Sequence, residues 1–217
     1  PNPNGSAFND RFGESVAIND NYAISSAPSE FDSGYSSSGI AYVYNANTGL
    51  LLYTIHNPSA FGTQQSDSFG LSISVSDTHI IIGTPFEDDE TGSASGKAYI
   101  FNISDGSLLW VLDNPNAYVG GTNQDFFGWS VDICDKYAIV GAHTEGDAGE
   151  IPVGKAYIFS VNTGTLLHTL DNPNTFGTIT GDQFGYSVAI TDTYAAVGAN
   201  LEDSVGIGDS GTVYVYK

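Results

Sequence analysis

The chain has 217 residues, yet it contains no methionine, one cysteine and only five lysines and arginines. A single cysteine excludes an internal disulfide framework. Cys134 stands where Asn19, Ser76 and Thr191 stand in an internal alignment, beside a tight turn, and no base recurs with it. It reads as a spectator thiol, because a cysteine nucleophile needs an activating partner. The five cationic side chains face 25 Asp and Glu, for a formal net charge of −20. Such a surface repels nucleic acid and anionic lipid. It suits a salty medium or divalent cations; plain solubility is the alternative reading of the same charge. No apolar run approaches the length of a membrane span, so no membrane insertion is expected. No signal peptide is visible. With Pro1-Asn2-Pro3-Asn4 at its start, the chain reads as a processed product or a segment of something longer. No segment sustains an apolar helical period over three turns.

What is present is repetition. The pattern Asp-x-Phe-Gly-x-Ser begins at Asp10, Asp67, Asp125 and Asp182. Its phenylalanines, Phe12, Phe69, Phe127 and Phe184, are 57, 58 and 57 residues apart, and each precedes a glycine: Gly13, Gly70, Gly128 or Gly185. A period in this range marks a modular array. Residues 1–217 read as one array, with units at about 10–66, 67–124, 125–181 and 182–217.

Each unit holds four short β-type runs. Run A is 15–18, copied at 72–75, 130–133 and 187–190; run B is 22–25, copied at 79–82, 137–140 and 194–197. Run C is 41–44, copied at 98–101, 156–159 and 213–216; run D is 51–55, copied at 108–112 and 166–170 only. These are β-branched and aromatic residues bounded by Gly, Asn, Asp and Pro. The A-to-B turns contain Asp20, Asp77, Asp135 or Asp192, whose carboxylates are expected to bond nearby backbone N–H groups. The C-to-D turns pass through Gly49, Gly106 and Gly164, which supply the positive φ of a short bulged hairpin. Four sequential antiparallel strands with two apolar faces make a propeller blade, which must stack on its neighbours. The predicted fold is therefore all-β: a β-propeller of four tandem four-stranded antiparallel blades of about 57 residues, the last lacking its outer strand. It is either a closed four-blade ring or a segment of a larger propeller. Tyr42, Tyr99, Tyr157 and Tyr214 in run C are expected between blades rather than in a ligand cage.

The Phe-Gly pair, with Ser26-Ala27-Pro28, Gly83-Thr84-Pro85, Gly141-Ala142-His143 or Gly198-Ala199-Asn200 downstream at matching spacing, resembles the FG-GAP repeat family. The resemblance covers nearly the whole chain. It implies a β-propeller of the kind found in integrin α-subunit heads and in many bacterial and viral surface proteins, where integrin-type rings have seven blades. The stretch from Thr163 to Asn174 is similar to repeat arrays in structural proteins of marine phages and in marine bacterial surface proteins. The integrin calcium loop lies between runs A and B. Here that connection is a short turn such as Ile18-Asn19-Asp20-Asn21-Tyr22, without alternating oxygen ligands, so those sites do not carry over. Integrin ligand binding does not carry over either, since it needs a partner subunit.

Antiparallel order puts the D-to-A and B-to-C connections on one face and the tight turns on the other. Long loops on a rigid scaffold are the usual place for binding. The B-to-C loop is acidic in register: Glu30, Glu87, Glu145 and Glu202 share one position, Asp32, Asp89 and Asp147 follow two residues later, and Asp88 and Asp203 add charge. Hard oxygen ligands of this kind suit Ca²⁺. Glu87, Asp88, Asp89 and Glu90 form the leading candidate, with Glu30, Asp32, Glu145, Asp147, Glu202 and Asp203 behind it. The alternative is that these glutamates accept backbone N–H bonds within their own loops or are solvated, since no loop spells the EF-hand pattern. His56, His79, His143 and His168 occupy four different repeat positions and predict no metal cluster; His79 and His168 read as blade-packing substitutions. Asp105 to Trp110 is similar to the repeats of quinone-cofactor propellers but occurs once. Asn4-Gly5-Ser6 and Asn102-Ile103-Ser104 match the glycosylation pattern.

No non-repeating group of catalytic side chains is evident, and catalysis would need one near the axis. The expected function is a non-enzymatic structural or adhesive module on a virion or cell surface, binding other protein chains or surface glycans. The alternatives are an architectural brick that assembles with itself and a propeller-scaffold hydrolase. Residues 1–9 match the D-to-A connection and Lys217 follows run C, so the fourth unit has an unpaired edge. Strand addition there, by upstream residues or another chain, is expected.

Overall fold

Alternating β-branched and aromatic residues form strands wherever the repeat places them, and no helix is present among the described residues. The computed structural model describes residues 2–5, 9–32, 37–58, 66–88, 95–117, 124–146, 153–174, 181–203 and 208–217. The first sheet holds β1 (Val16–Ile18), β2 (Tyr22–Ala27), β3 (Ile40–Asn45) and β4 (Leu51–His56). The second holds β5 (Ser72–Val75), β6 (His79–Thr84), β7 (Lys97–Asn102) and β8 (Leu108–Asp113). The third holds β9 (Ser130–Ile133), β10 (Tyr137–Ala142), β11 (Lys155–Ser160) and β12 (Leu166–Asp171). The fourth holds β13 (Phe184–Ile190), β14 (Ala195–Ala199) and β15 (Thr212–Tyr216). Each is an antiparallel meander in chain order. The fourth sheet ends at run C, as the pattern predicts.

The turns differ from expectation in one respect. The A-to-B turn is closed not by Asp20 and its copies but by the residue before it. Asn19 Oδ1 accepts from the backbone N–H of Asn21 (2.9 Å) and Tyr22 (2.8 Å), and Ser76 and Thr191 oxygens do the same in their turns. Cys134 holds this position in the third sheet, where its sulfur faces the N–H groups of Lys136 and Tyr137. Two of the aspartates instead reach sideways: Asp192 pairs with Lys136 at 2.7 Å and Asp135 accepts from Thr78 at 3.3 Å. Both contacts tie one sheet to the next.

Three apolar clusters fill the spaces between consecutive sheets. Ile24, Ala41, Val43 and Ile55 of the first sheet meet Phe69, Ile73, Ile80, Ile82 and Tyr99 of the second. The same faces meet between second and third sheets around Ile100 and Phe127, and between third and fourth around Ile158 and Phe184. Among the described residues no cluster joins the fourth sheet to the first. The four blades thus form an open array rather than a closed four-blade ring.

The repeat signature is the lock between blades. Phe69, Phe127 and Phe184 are fully buried, each in the cluster shared with the preceding sheet. Their backbone carbonyls lie where a Cβ on Gly39, Gly96 or Gly154 of that sheet would have to be. The carbonyls of Gly128 and Gly185 likewise occupy the Cβ positions of Gly83 and Gly141, and accept from Ser72 Oγ and Ser130 Oγ at 2.8 Å. Gly141 has no positive φ, so close approach alone demands glycine there. Gly141→Ala is expected to destabilise the chain by about 2–4 kcal/mol in urea denaturation, by overpacking against backbone. Gly198→Ala, at the same repeat position but without a following sheet, is expected to cost less than about 1 kcal/mol. Equal costs would rule out the docking explanation.

Candidate functional site

The acidic B-to-C positions turn inward. Each glutamate accepts a hydrogen bond from the hydroxyl of the tyrosine twelve residues on: Tyr42 to Glu30 at 2.8 Å, Tyr99 to Glu87 at 2.5 Å, and likewise Tyr157 to Glu145 and Tyr214 to Glu202. All four glutamates are buried. The aspartate that opens each signature lies buried nearby and accepts from an asparagine: Asn2 to Asp10 (3.2 Å), Asn57 to Asp67 (2.9 Å), Asn114 to Asp125 (3.0 Å) and Asn172 to Asp182 (2.8 Å). In the first sheet Asn2 also donates to Glu30 at 3.2 Å, bridging the two carboxyl groups. The tyrosine bonds pin each B-to-C loop to its blade's third strand, and the asparagine bonds hold the two ends of each D-to-A connection together. The tyrosine partner belongs to neither sequence alternative, and the four glutamates are buried rather than exposed.

Burying these carboxyl groups opposes their ionisation. Burial pushes Glu87 up to about 8, against the downward pull of the Tyr99 hydroxyl and Lys97. Burial likewise raises Asp67 to about 7 and Glu145 to about 7. Each of Glu87, Glu145 and Glu202 keeps one buried carboxyl oxygen with no hydrogen-bond partner among the described residues.

Among the described residues the other acidic candidates lie apart. Asp88 is half-buried, Asp32 pairs with His56 Nδ1 at 2.8 Å, and Asp203 accepts from the backbone N–H of Asp209 at 3.0 Å. Asp89, Glu90 and Asp147 lie outside the described residues. Among the described residues no three His, Cys, Asp or Glu side chains converge in a metal-binding group. His79 is half-buried at the start of β6, whereas His168 is exposed in β12 and does not pack as the expected substitution for Tyr53 or Trp110 would. At the first two junctions Tyr53 and Trp110 donate to Ile103 O and Val161 O of the next sheet, Trp110 at 2.8 Å. At the third junction His168 instead borders a cavity of about 360 Å³, lined also by Leu170, Tyr194 and Tyr216.

A different group does converge, and the sequence reading missed it. Phe86, Phe126, Trp129, His143 and Tyr186 form one aromatic cluster across the second, third and fourth sheets. Phe86 meets Phe126 at 5.2 Å, edge to face; His143 stacks on Phe126 at 5.5 Å and 13° and meets Trp129 at 4.6 Å; Tyr186 meets Trp129 at 6.0 Å and His143 at 5.4 Å. Phe126 and Trp129 flank the start of β9, Phe86 and His143 follow the ends of β6 and β10, and Tyr186 sits in β13. All five therefore lie on the face of the long loops.

Local structure presents these rings. The residue before the signature phenylalanine has positive φ in every unit: Arg11 57°, Ser68 57°, Phe126 55° and Gln183 58°. That region is costly for a bulky side chain, so Phe126 is not there for the backbone's sake. The register shift between Phe184 and Ser187 re-aims Tyr186. Tyr186 is exposed, Phe86, Phe126 and Trp129 are half-buried, and His143 lies buried beneath. Burial pushes His143 down to about 4, so its ring is neutral at neutral pH. The cluster is an uncharged aromatic surface on a chain of net charge −20. The missed signal was the difference between repeats. Phe126 stands against Arg11, Ser68 and Gln183, and Trp129 against Glu14 and Leu71; His143 replaces Pro28 and Pro85.

Compared with known protein families, the chain matches the FG-GAP repeat over residues 3–44, 59–101, 119–159 and 178–216. A comparison with curated proteins found no match.

Proposed function

The chain belongs to the FG-GAP repeat family, and from that premise we propose that it is a non-enzymatic binding module whose long-loop face engages a partner through the Phe86, Phe126, Trp129 and Tyr186 rings. The observation that carries this reading is the cluster itself: exposed and half-buried rings at positions where the first blade has Ser29, Arg11 and Glu14, mounted on a rigid repeat. Aromatic side chains of low conformational entropy are the usual anchors of binding surfaces. The family's propellers often serve protein binding and are generally non-enzymatic. The cluster holds one neutral imidazole and no carboxylate, cysteine or serine, which supports binding over hydrolysis. An uncharged ring surface suits the apolar face of a neutral sugar or an apolar side chain. Adhesion at a cell or virion surface is the setting that an acidic repeat array of this family fits.

The test uses an array of neutral oligosaccharides and an array of apolar peptides, probed with the wild-type chain and Trp129→Ala. The expected result is binding on one array, weakened about 10- to 100-fold in the variant while its circular dichroism is unchanged. No binding on either array, or undiminished binding by the variant, would remove the proposal.

A further inference from the structure

Trp129 and Tyr186 occupy one repeat position in consecutive units, where the first two units hold Glu14 and Leu71. Their ring centres lie 6.0 Å apart, and Phe126 and Phe86 continue the row at steps of 5.8 Å and 5.2 Å. Successive ring planes are turned by 45°, 49° and 74°. The polar tips of this row are unspent. Trp110 Nε1 donates to Val161 O, and the Tyr42 and Tyr99 hydroxyls donate to Glu30 and Glu87. Trp129 Nε1 and the Tyr186 hydroxyl make no hydrogen bond among the described residues. Beneath them His143 is 6% exposed, and its Nδ1 also lacks a partner among the described residues. Pro28 and Pro85 hold the same position in the first two units, so the blade does not require a polar ring there. A buried polar atom left open is costly unless something pairs with it.

On the basis of the binding role argued above, we propose that this row binds a neutral oligosaccharide. Pyranose faces stack on the Trp129 and Tyr186 rings, and sugar hydroxyls pair with Trp129 Nε1 and the Tyr186 hydroxyl. Three features favour this ligand over an apolar side chain. First, an apolar group laid on the rings would cover a free N–H and a free O–H without pairing them, which costs binding energy. A pyranose brings both complements: C–H groups for the ring faces, and hydroxyls that each donate and accept for the polar tips and the imidazole. Second, ring faces turned relative to one another, at steps comparable with the length of a sugar ring, suit a short chain of such units rather than a single one. Third, no cationic side chain belongs to the cluster and the chain carries a net charge of −20, so uronic, sialic and sulfated sugars are repelled.

The experiment titrates the wild-type chain, Tyr186→Phe and Trp129→Phe by calorimetry. The probes are neutral hexasaccharides of glucose, galactose and mannose, a hexasaccharide of uronic acids, and an apolar peptide. Each substitution keeps an aromatic face and removes one donor at a site that is exposed or half-buried, so the variants fold, as circular dichroism will verify. At least one neutral hexasaccharide is expected to bind and the uronic one is not. Each variant is expected to weaken the neutral sugar about 3- to 10-fold, the effect of one hydrogen bond. Binding of the apolar peptide alone, undiminished in both variants, overturns the saccharide assignment and leaves the binding role standing. Neutral sugar binding that is undiminished in both variants, or that the uronic sugar equals, also overturns the assignment. No binding of any probe removes the binding role and the assignment together.

Discussion

Phe127→Ala is expected to cost about 3–5 kcal/mol, the largest effect of any single signature substitution. Phe127 is fully buried between the second and third sheets, 5.7 Å from Tyr157 and 6.1 Å from Phe159 by ring centre, in a cluster with Ile81, Ala98 and Ile100. Its backbone N–H donates to Ser95 O at 3.1 Å, so the side chain and its backbone dock together. Removing the ring opens a cavity that the β-sheets on either side cannot easily collapse into. Phe12→Ala removes the same residue of the same motif. Phe12, however, is half-buried on the uncovered face and packs mainly on Tyr42 at 5.5 Å. Its loss should cost about 1 kcal/mol. Urea denaturation of the two variants checks the contrast. Similar losses would mean that the signature stabilises each blade from within, and that the junctions do not depend on it.

The contrast also shows what a repeat reveals and what it hides. Period, strand order, the missing outer strand and the sidedness of the loops were legible because strand alternation and turn residues recur in register. The lock was half legible: the Phe-Gly pair stood out, but its seat on Gly39, Gly96 and Gly154 belongs to the neighbouring sheet, which no single unit displays. Glu30, Glu87, Glu145 and Glu202 were read as loop charges because Asp, Gly and Ser surround them. Their constant twelve-residue distance from Tyr42, Tyr99, Tyr157 and Tyr214 was the sign that they belong to the core network. The aromatic cluster escaped for the opposite reason. Alignment of the units directs attention to what stays the same, whereas Phe126, Trp129 and His143 are departures. In a scaffold whose sameness is architectural, individuality is where recognition can reside, and a comparison of the units for their differences would have found these residues.

The second large effect concerns pH. The protein is expected to lose stability as pH rises from 6.5 to 9, by about 2 kcal/mol or more. Glu87, at about 8, and Asp67 and Glu145, at about 7, are raised by burial above ordinary carboxyl values. Between the ordinary and the raised values the folded chain therefore binds more protons than the unfolded one. Stability then falls with rising pH; the contribution is complete below the ordinary values and is lost as pH passes through the raised ones. His143 acts the other way. Burial holds it down at about 4, so its contribution is complete above its ordinary value near 6.5 and is lost as pH falls toward 4. His143 is neutral in the folded chain throughout this window, and its contribution levels off within about one pH unit above 6.5 as the unfolded chain loses its proton, which leaves the carboxyl groups in control of the rest. Glu87→Gln separates the causes. The amide can still accept from Tyr99 but has no charge to bury, so the variant should match or exceed wild type at pH 9 and show a shallower slope. Thermal melts of both proteins across the range decide the matter. A flat wild-type profile, or a variant weakened equally at pH 6.5 and 9, would mean that the network keeps its carboxylates ionised and compensates them by hydrogen bonding alone.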